Sequence, residues 1–439
     1  MPPDDEYTGR LEPRAARLAW PVRRRRRPIA VALLGIGAVA VGGPALPAAV
    51  GRLADGRVVS PRACCRPHPL TTAELVRARW LVLPRSPLGR RSGPILDWAG
   101  SRLLELGGTR NGVVQRDGAA FDPGRQRWRR ITAVPRSIGM TGAVSVWTGA
   151  ASQLFVTNGR RPAHRAAGAG AAAGLYDPVT NRWTVTDLPR QMLGLQLAPP
   201  VWTGQDVMLA GTSGAPARPR LAVSAYDIAH HRWRMITPPR PARHPPGAVS
   251  MVATGHRVIV WSLWSRSIRT KTGGTIDSGV DVQVLGDGRW TLRTGSWPQH
   301  RVVGGAAFAR SRILIPPGQF WCGPCPAPYS ESPARFADPA TLRLTTIPRS
   351  PLTVQPLTQP PVWLWNGSTV LAAGESYSGN AAPDGHLGAL AAYDPWSGRW
   401  HVLPRAPGRP ALATAPVFAG QRLLVLTLDG SLLARQPSA

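Results

Sequence analysis

Lysine is all but missing from this 439-residue chain: Lys271 is the only one, although basic residues outnumber acidic ones 53 to 23. GC-rich coding accounts for part of that arginine bias, as it does for the abundant alanine, glycine and proline. It does not account for the shortage of Asp and Glu, which have GC-rich codons too. The net charge of +30 therefore implies a real attraction to anions. Tyrosine is scarce, with six copies, and the nine histidines are scattered. No set of Tyr and His has ligand spacing, so no metal and no cofactor is expected. Neither a glycine-rich phosphate cradle nor a nucleophile with its base is present, and no residue is assigned a catalytic role.

Cysteine occurs four times, as Cys64-Cys65 and as Cys322-Gly323-Pro324-Cys325. The second string copies the thioredoxin active site, whose chemistry needs the first Cys at a helix N-terminus beside a βαβ sheet. Here it lies between two apparent strands with Pro316, Pro317, Pro326 and Pro328 around it. A local structural disulfide between Cys322 and Cys325 is the expectation in an oxidising compartment. Cys64 and Cys65 form a vicinal or an intermolecular bond, or stay free.

Residues 23–27 are five consecutive arginines, and residues 28–50 carry no charge at all. Cations followed by an apolar stretch of about 20 residues suit a single membrane span with its N-terminus in the cytoplasm. The alternative is a cleaved signal peptide, which would leave the protein secreted, although no clean Ala-x-Ala site follows the densest core, Ile29 to Gly42. The expected organisation is a basic cytoplasmic N-terminus over 1–27, a signal-anchor over 28–50, a linker over 51–73 and a repeat domain over 74–439. Everything beyond the anchor is expected outside the cytoplasm, on a single-pass protein of the cell membrane.

The repeat is the strongest signal. Tyr176-Asp177-Pro178 precedes Asn181-Arg182-Trp183, and Tyr393-Asp394-Pro395 precedes Gly398-Arg399-Trp400. Phe121-Asp122-Pro123 leads to Arg127-Trp128, and Tyr226-Asp227 to Arg232-Trp233. Weaker copies end at Trp290 and Leu344, and Arg79-Trp80 is a copy without its first half. The steps from Trp80 to Trp400 are 48, 55, 50, 57, 54 and 56 residues. A second marker keeps the same phase: Trp98-Ala99-Gly100, Trp147-Thr148-Gly149, Trp202-Thr203-Gly204, Trp365-Asn366-Gly367 and Phe418-Ala419-Gly420. Each unit reads as four short strands, which is the make-up of a propeller blade. The chain ends after three strands of its last unit and begins with a lone fourth strand at Arg79-Trp80. The fold expected is therefore an all-β, seven-bladed propeller, its ring closed by the N-terminal strand completing the C-terminal blade.

Over residues 74–439 these motifs resemble the kelch family, in the divergent form of bacterial proteins related to the central domain of galactose oxidase. The chain departs from that pattern in the di-glycine after the second strand, which is whole only at Gly107-Gly108.

In such a blade the loops after the second and fourth strands share one face. The fourth strands end there in a recurring Pro-Arg, which places Arg85, Arg136, Arg190, Arg240, Arg349 and Arg405 on that face. Long loops after second strands add Arg116, Arg160, Arg161, Arg165, Arg266 and Arg269, whereas the fifth and sixth units supply Trp321, Tyr329, Glu331, Glu375, Asp384 and His386. This basic set is a candidate anion-binding platform; the plain alternative is solvated loop arginines. The Trp of each unit reads as blade-to-blade packing. The function expected is a non-catalytic, membrane-tethered module that binds a protein or an anionic polysaccharide of the envelope. A carbohydrate oxidase or lyase on the same scaffold is the second reading. Nucleic acid is not expected as a partner in that compartment.

Overall fold

The computed structural model describes residues 69–437 apart from 150–151, 160–171, 214–220, 237–248, 255–256, 271–272, 287–288, 296–300, 303–306, 310, 322–328, 342, 353–361, 376–386 and 409–410. The expected anchor at 28–50 lies outside the described residues. Among those described, no helix is long and apolar enough to cross a membrane.

The domain is an all-β propeller of seven blades. The first blade comprises Ile95–Trp98, Leu103–Leu106, Gly118–Asp122 and Arg127–Ile131, hydrogen-bonded in that order. The second repeats the order with Ala143–Trp147, Leu154–Asn158, Ala172–Asp177 and Arg182–Asp187. The third uses Val201–Trp202, Asp206–Thr212, Leu221–Asp227 and Arg232–Ile236, and the sixth uses Val362–Trp365, Val370–Glu375, Leu387–Asp394 and Arg399–Val402. In the last blade Val417–Ala419, Arg422–Leu426 and Leu432–Gln436 are joined by Arg79–Leu83 from the other end of the chain, with Trp80 opposite Arg435 and Leu83 opposite Leu432.

Two blades depart from the expected loops. In the fourth, the second and third strands run on as Arg257–Thr270 and Gly273–Gly286, paired without a break from Val258–Leu285 to Thr270–Gly273. Arg266 and Arg269, expected in a loop, are therefore strand residues, with Asp277 and Gly274 as their register partners. The run Val258-Ile259-Val260-Trp261 continues into further β-forming residues, and a matching run faces it, so the ladder extends instead of opening. In the fifth blade, Ala307–Ala309, Arg312–Ile315, Arg335–Ala337 and Leu344–Thr346 form the sheet, and its long connection folds as a hairpin of Gly318–Trp321 and Tyr329–Ser332, to which Arg301–Val302, from the segment entering the blade, adds a third strand. Trp321 and Tyr329 face each other across that hairpin rather than lying in a loop.

The core explains the strand composition. Among the described residues seven hydrophobic clusters are found, each shared by two successive sheets. Leu104, Leu106 and Tyr176 join the first to the second. Phe155, Leu209 and Tyr226 join the second to the third, and Met208, Val223 and Val260 the third to the fourth. Trp261 and Ile313 continue the series, as do Phe336 and Trp363 and then Leu371 and Val425. The last cluster joins the seventh sheet to the first through Leu424, Leu432, Leu103 and Phe121. Each sheet thus buries both faces, which is why second strands such as Arg422–Leu426 carry a continuous apolar run, Leu423-Leu424-Val425-Leu426, rather than an alternating one.

The recurring Trp links the blades in two ways. Within a blade it packs on the aromatic opposite it: ring centroids are 5.2 Å apart for Phe121–Trp128, 5.1 Å for Tyr176–Trp183, 4.8 Å for Tyr226–Trp233 and 5.2 Å for Tyr393–Trp400. Between blades its indole N–H donates backwards, from Trp80 to the Pro404 carbonyl (2.8 Å), Trp128 to Pro84 (2.7 Å), Trp183 to Thr132 (3.0 Å) and Trp400 to Pro348 (2.9 Å). Trp233 reaches the Thr186 hydroxyl instead, at 3.1 Å. The aspartate before each turn accepts backbone N–H bonds from the turn itself, as Asp338 does from Ala340 and Thr341 at 2.9 and 2.6 Å. Those Thr341 bonds hold the Asp338 carboxyl below the usual range. The di-glycine also has a packing reason. Gly108 has φ of 82°, and a Cβ there would lie 3.0 Å from the backbone of Ser92 and Pro94.

A short helix, Thr72–Arg77, precedes the first strand and begins inside the stretch expected to be linker. Thr71 and Glu74 form a capping box: the Thr71 hydroxyl accepts from Glu74 N–H, and the Glu74 carboxylate accepts from Thr71 N–H at 2.8 Å. Leu70 and Leu75 are fully buried between the sixth and seventh sheets. Arg435, also fully buried, donates to the Leu75 carbonyl at 3.0 Å and lies 5.4 Å from the Trp80 ring centre. It stands where the first, second, third and sixth blades place Phe or Tyr.

Trp183→Phe keeps the ring packing but removes the donor to Thr132, and is expected to cost about 1 kcal/mol in urea unfolding. Trp183→Ala is expected to cost about 3 kcal/mol because the inter-blade packing goes too. Equal losses for the two variants would mean that the indole N–H contributes nothing between blades.

Candidate functional site

The Pro-Arg motif ends the outermost strands as expected, and five of its six arginines are described. Arg85, Arg136, Arg190, Arg349 and Arg405 are all exposed. Arg240, together with Arg160, Arg161 and Arg165, lies outside the described residues. The backbones of Arg266 and Arg269 belong to the long hairpin of the fourth blade. Cys322 and Cys325 also lie outside the described residues.

Why proline precedes the arginine is now visible. The carbonyls of Pro84, Pro348 and Pro404 accept the indole N–H of the following blade, so the proline belongs to the blade joint. The arginine beyond it is left to point elsewhere. Arg85 pairs with Asp429, at 2.7 Å, in the turn after the second strand of the last blade. With side chains 64% and 51% exposed, that pair contributes at most about 1 kcal/mol. It does show that the exits of fourth strands and the turns after second strands share a face. Arg136, Arg190, Arg349 and Arg405 make no ion pair with any described residue.

Other arginines on this face are structural. Arg116 donates to the carbonyls of Pro135 (2.7 Å), Ile138 (2.9 Å) and Arg136 (3.2 Å), fastening the exit of the first blade. Burial, and then the Arg136 charge, pull its pKa down. It therefore leaves the candidate anion-binding set. Arg91 is nearly fully buried in the connection entering the first blade. It bonds Asp117 at 2.9 Å, the Gly107 and Leu88 carbonyls at 2.7 Å each, and lies 3.6 Å from Glu105. Glu105 in turn accepts from the Ser86 hydroxyl at 2.5 Å, and burial pushes its pKa up. A buried cation held this way braces the loop; it is not available to a ligand.

One titratable group had no counterpart in the motifs. Asp97, on the innermost strand of the first blade, accepts a hydrogen bond from the Ser145 hydroxyl on the innermost strand of the second. Burial pushes its carboxyl up from 3.8 to about 6. Among the described residues, no three His, Cys, Asp or Glu side chains converge as a metal site.

No protein-family model matches the chain, and no curated protein matches it. Among solved structures, one described as the structure of YjhT is similar, with a TM-score of 0.42 and 17% identity, covering 61% of this chain and 87% of that one. No residue role is carried over from it.

Asp97 gives a pH signature of defined sign. Below pH 3.8 its carboxyl is protonated in both states; between there and about pH 6 the unfolded chain releases a proton that the folded one keeps. Stability must therefore fall as pH rises through that window and level off above it. Asp97→Asn is expected to remove this component, so that the variant gains on the wild type between pH 4 and pH 7 in urea midpoints. A constant difference across that range would contradict the assignment.

Proposed function

We propose that this chain is a non-catalytic binding propeller that recognises an anionic envelope polymer, or an acidic protein, through the face bearing the Pro-Arg exits. The observation that carries the reading is the set Arg136, Arg190, Arg349 and Arg405: exposed, spread over four blades, and without an ion-pair partner among the described residues. Their prolines serve the blade joint in the sixth and, at Pro348, the fifth blade, so the fold uses the proline and not the charge beside it. Cations presented together on a rigid scaffold attract a polyanion by summed potential rather than by any single contact.

The setting is part of the proposal. Five arginines followed by uncharged residues 28–50 suit a single-pass anchor in the cell membrane with the propeller outside the cytoplasm. The kelch-like reading belongs here too, supported by the phased Tyr-Asp-Pro and Arg-Trp motifs. We further infer that Arg79–Leu83 is the latch that closes the ring. Its full register with Leu432–Gln436 supports this, as does Arg435, which ties that strand to the helix before the latch. A closed ring would hold the arginines at fixed spacing.

The test is retention of the purified protein on immobilised dextran sulfate as salt is raised. Salt-sensitive retention is expected for the wild type. Exchange of Arg136, Arg190, Arg349 and Arg405 for Glu is expected to abolish it without changing the circular dichroism spectrum. Unchanged retention by the exchanged protein would remove this face as the binding surface.

A further inference from the structure

On the opposite face, where turns follow first and third strands, a pocket of 130 Å³ opens between the fifth and sixth blades. Ser311 and Arg312 line it from the fifth blade, and Trp365, Gly367, Pro395 and Trp396 from the sixth. Trp396 is 78% exposed, an unfavourable place for so large an apolar ring.

The repeat provides an internal control on that indole. Trp396 is the second residue after the turn aspartate, and its backbone N–H, not the indole, donates to Asp394 Oδ1 at 2.9 Å. The same turn is made by Gly124 on Asp122 at 2.9 Å, Val179 on Asp177 at 2.7 Å and Ala340 on Asp338 at 2.9 Å. Glycine, valine and alanine all build it, so the turn requires nothing of the side chain. The indole is surplus to the fold. Trp365 is different, since it is half-buried against Phe336 with ring centroids 5.1 Å apart, and forms a fixed wall.

Arg312 supplies the charge. It is exposed, rests 5.4 Å from the Phe336 ring centre and makes no ion pair with any described residue. The aromatic contact fixes one face of the guanidinium and leaves its N–H edge to pair elsewhere.

We propose that this pocket binds one carboxylated pyranose, a uronic acid unit of an anionic polysaccharide. The C–H face of a pyranose is apolar and lies flat on an indole, which suits Trp396 and Trp365. A single guanidinium matches one carboxylate in a two-bond fork. The Ser311 hydroxyl is within the rim for ring hydroxyls. The pocket is small, so a chain would be read at one unit as it crosses the face. The site is independent of the arginine face, and neither needs the other.

The experiment is saturation-transfer NMR and calorimetry on the purified full-length protein, with tri-galacturonate and the neutral galactotriose as probes. Tri-galacturonate is expected to bind, with saturation transferred to its ring C–H protons. Trp396→Ala is expected to weaken it at least tenfold with Tm unchanged, and Arg312→Gln to erase the preference over galactotriose with the fold intact. The four-arginine exchange described above is expected to leave binding as it was. The proposal is overturned if tri-galacturonate does not bind, if it binds Trp396→Ala as tightly as wild type, or if only the four-arginine exchange abolishes binding. A fall in Tm for Trp396→Ala would also overturn it, because the indole would then have a structural use.

Discussion

In the first, second, third and sixth blades the indole at the start of the outermost strand does two jobs at once. Its ring packs on the Tyr or Phe opposite, and its N–H reaches back to the preceding blade, so one side chain ties two sheets together. Propeller blades have little else to fix their mutual angle, since apolar packing between sheets is without direction. A directional bond from Trp80, Trp128, Trp183 and Trp400 to a backbone carbonyl sets that angle at the rim. From this follow the proline that offers the carbonyl and the exit that carries arginine to the surface.

Much of the fold was legible because the same physical demand recurs from blade to blade. An aspartate that closes a turn and a tryptophan that opens the next strand are repeated with their spacing, and both blade count and strand order could be read from them. What was not legible depended on tertiary partners. Arg116 resembles any loop arginine until three carbonyls of another loop are seen around it. Arg266 and Arg269 read as loop residues in the sequence because strand length is set by whether a matching strand lies alongside, and that match spans residues far apart in the repeat. The helix Thr72–Arg77 was readable in principle from Thr71 and Glu74, but six residues are too few for an apolar period to draw attention. Arg435 was unreadable for a further reason: it occupies an aromatic position, and only the helix carbonyls above it account for a buried cation there.

The two faces differ in kind. The face of the Pro-Arg exits presents cations spread over separate blades, which is what the proposed polyanion reading rests on. The other face presents a small pocket with aromatic walls and a cation, on which the proposed single-ring site rests. The Trp396 indole and the charges of Arg136, Arg190, Arg349 and Arg405 are not required by the blade itself, and a repeat scaffold gains function at such positions without loss of stability. Arg91 and Glu105 show the contrary case, a charged pair spent wholly on bracing the entry to the first blade.

The account stands on the seventh blade being assembled from both ends of the chain, since a ring left open would give the arginines no fixed spacing. Native-state hydrogen exchange measures this directly. The amides of Arg79–Leu83 are predicted to be protected as strongly as those of Leu432–Gln436 beside them and of the second blade far from the junction. Exchange of the Arg79–Leu83 amides at the rate of an unstructured peptide, with the other blades still protected, would contradict it.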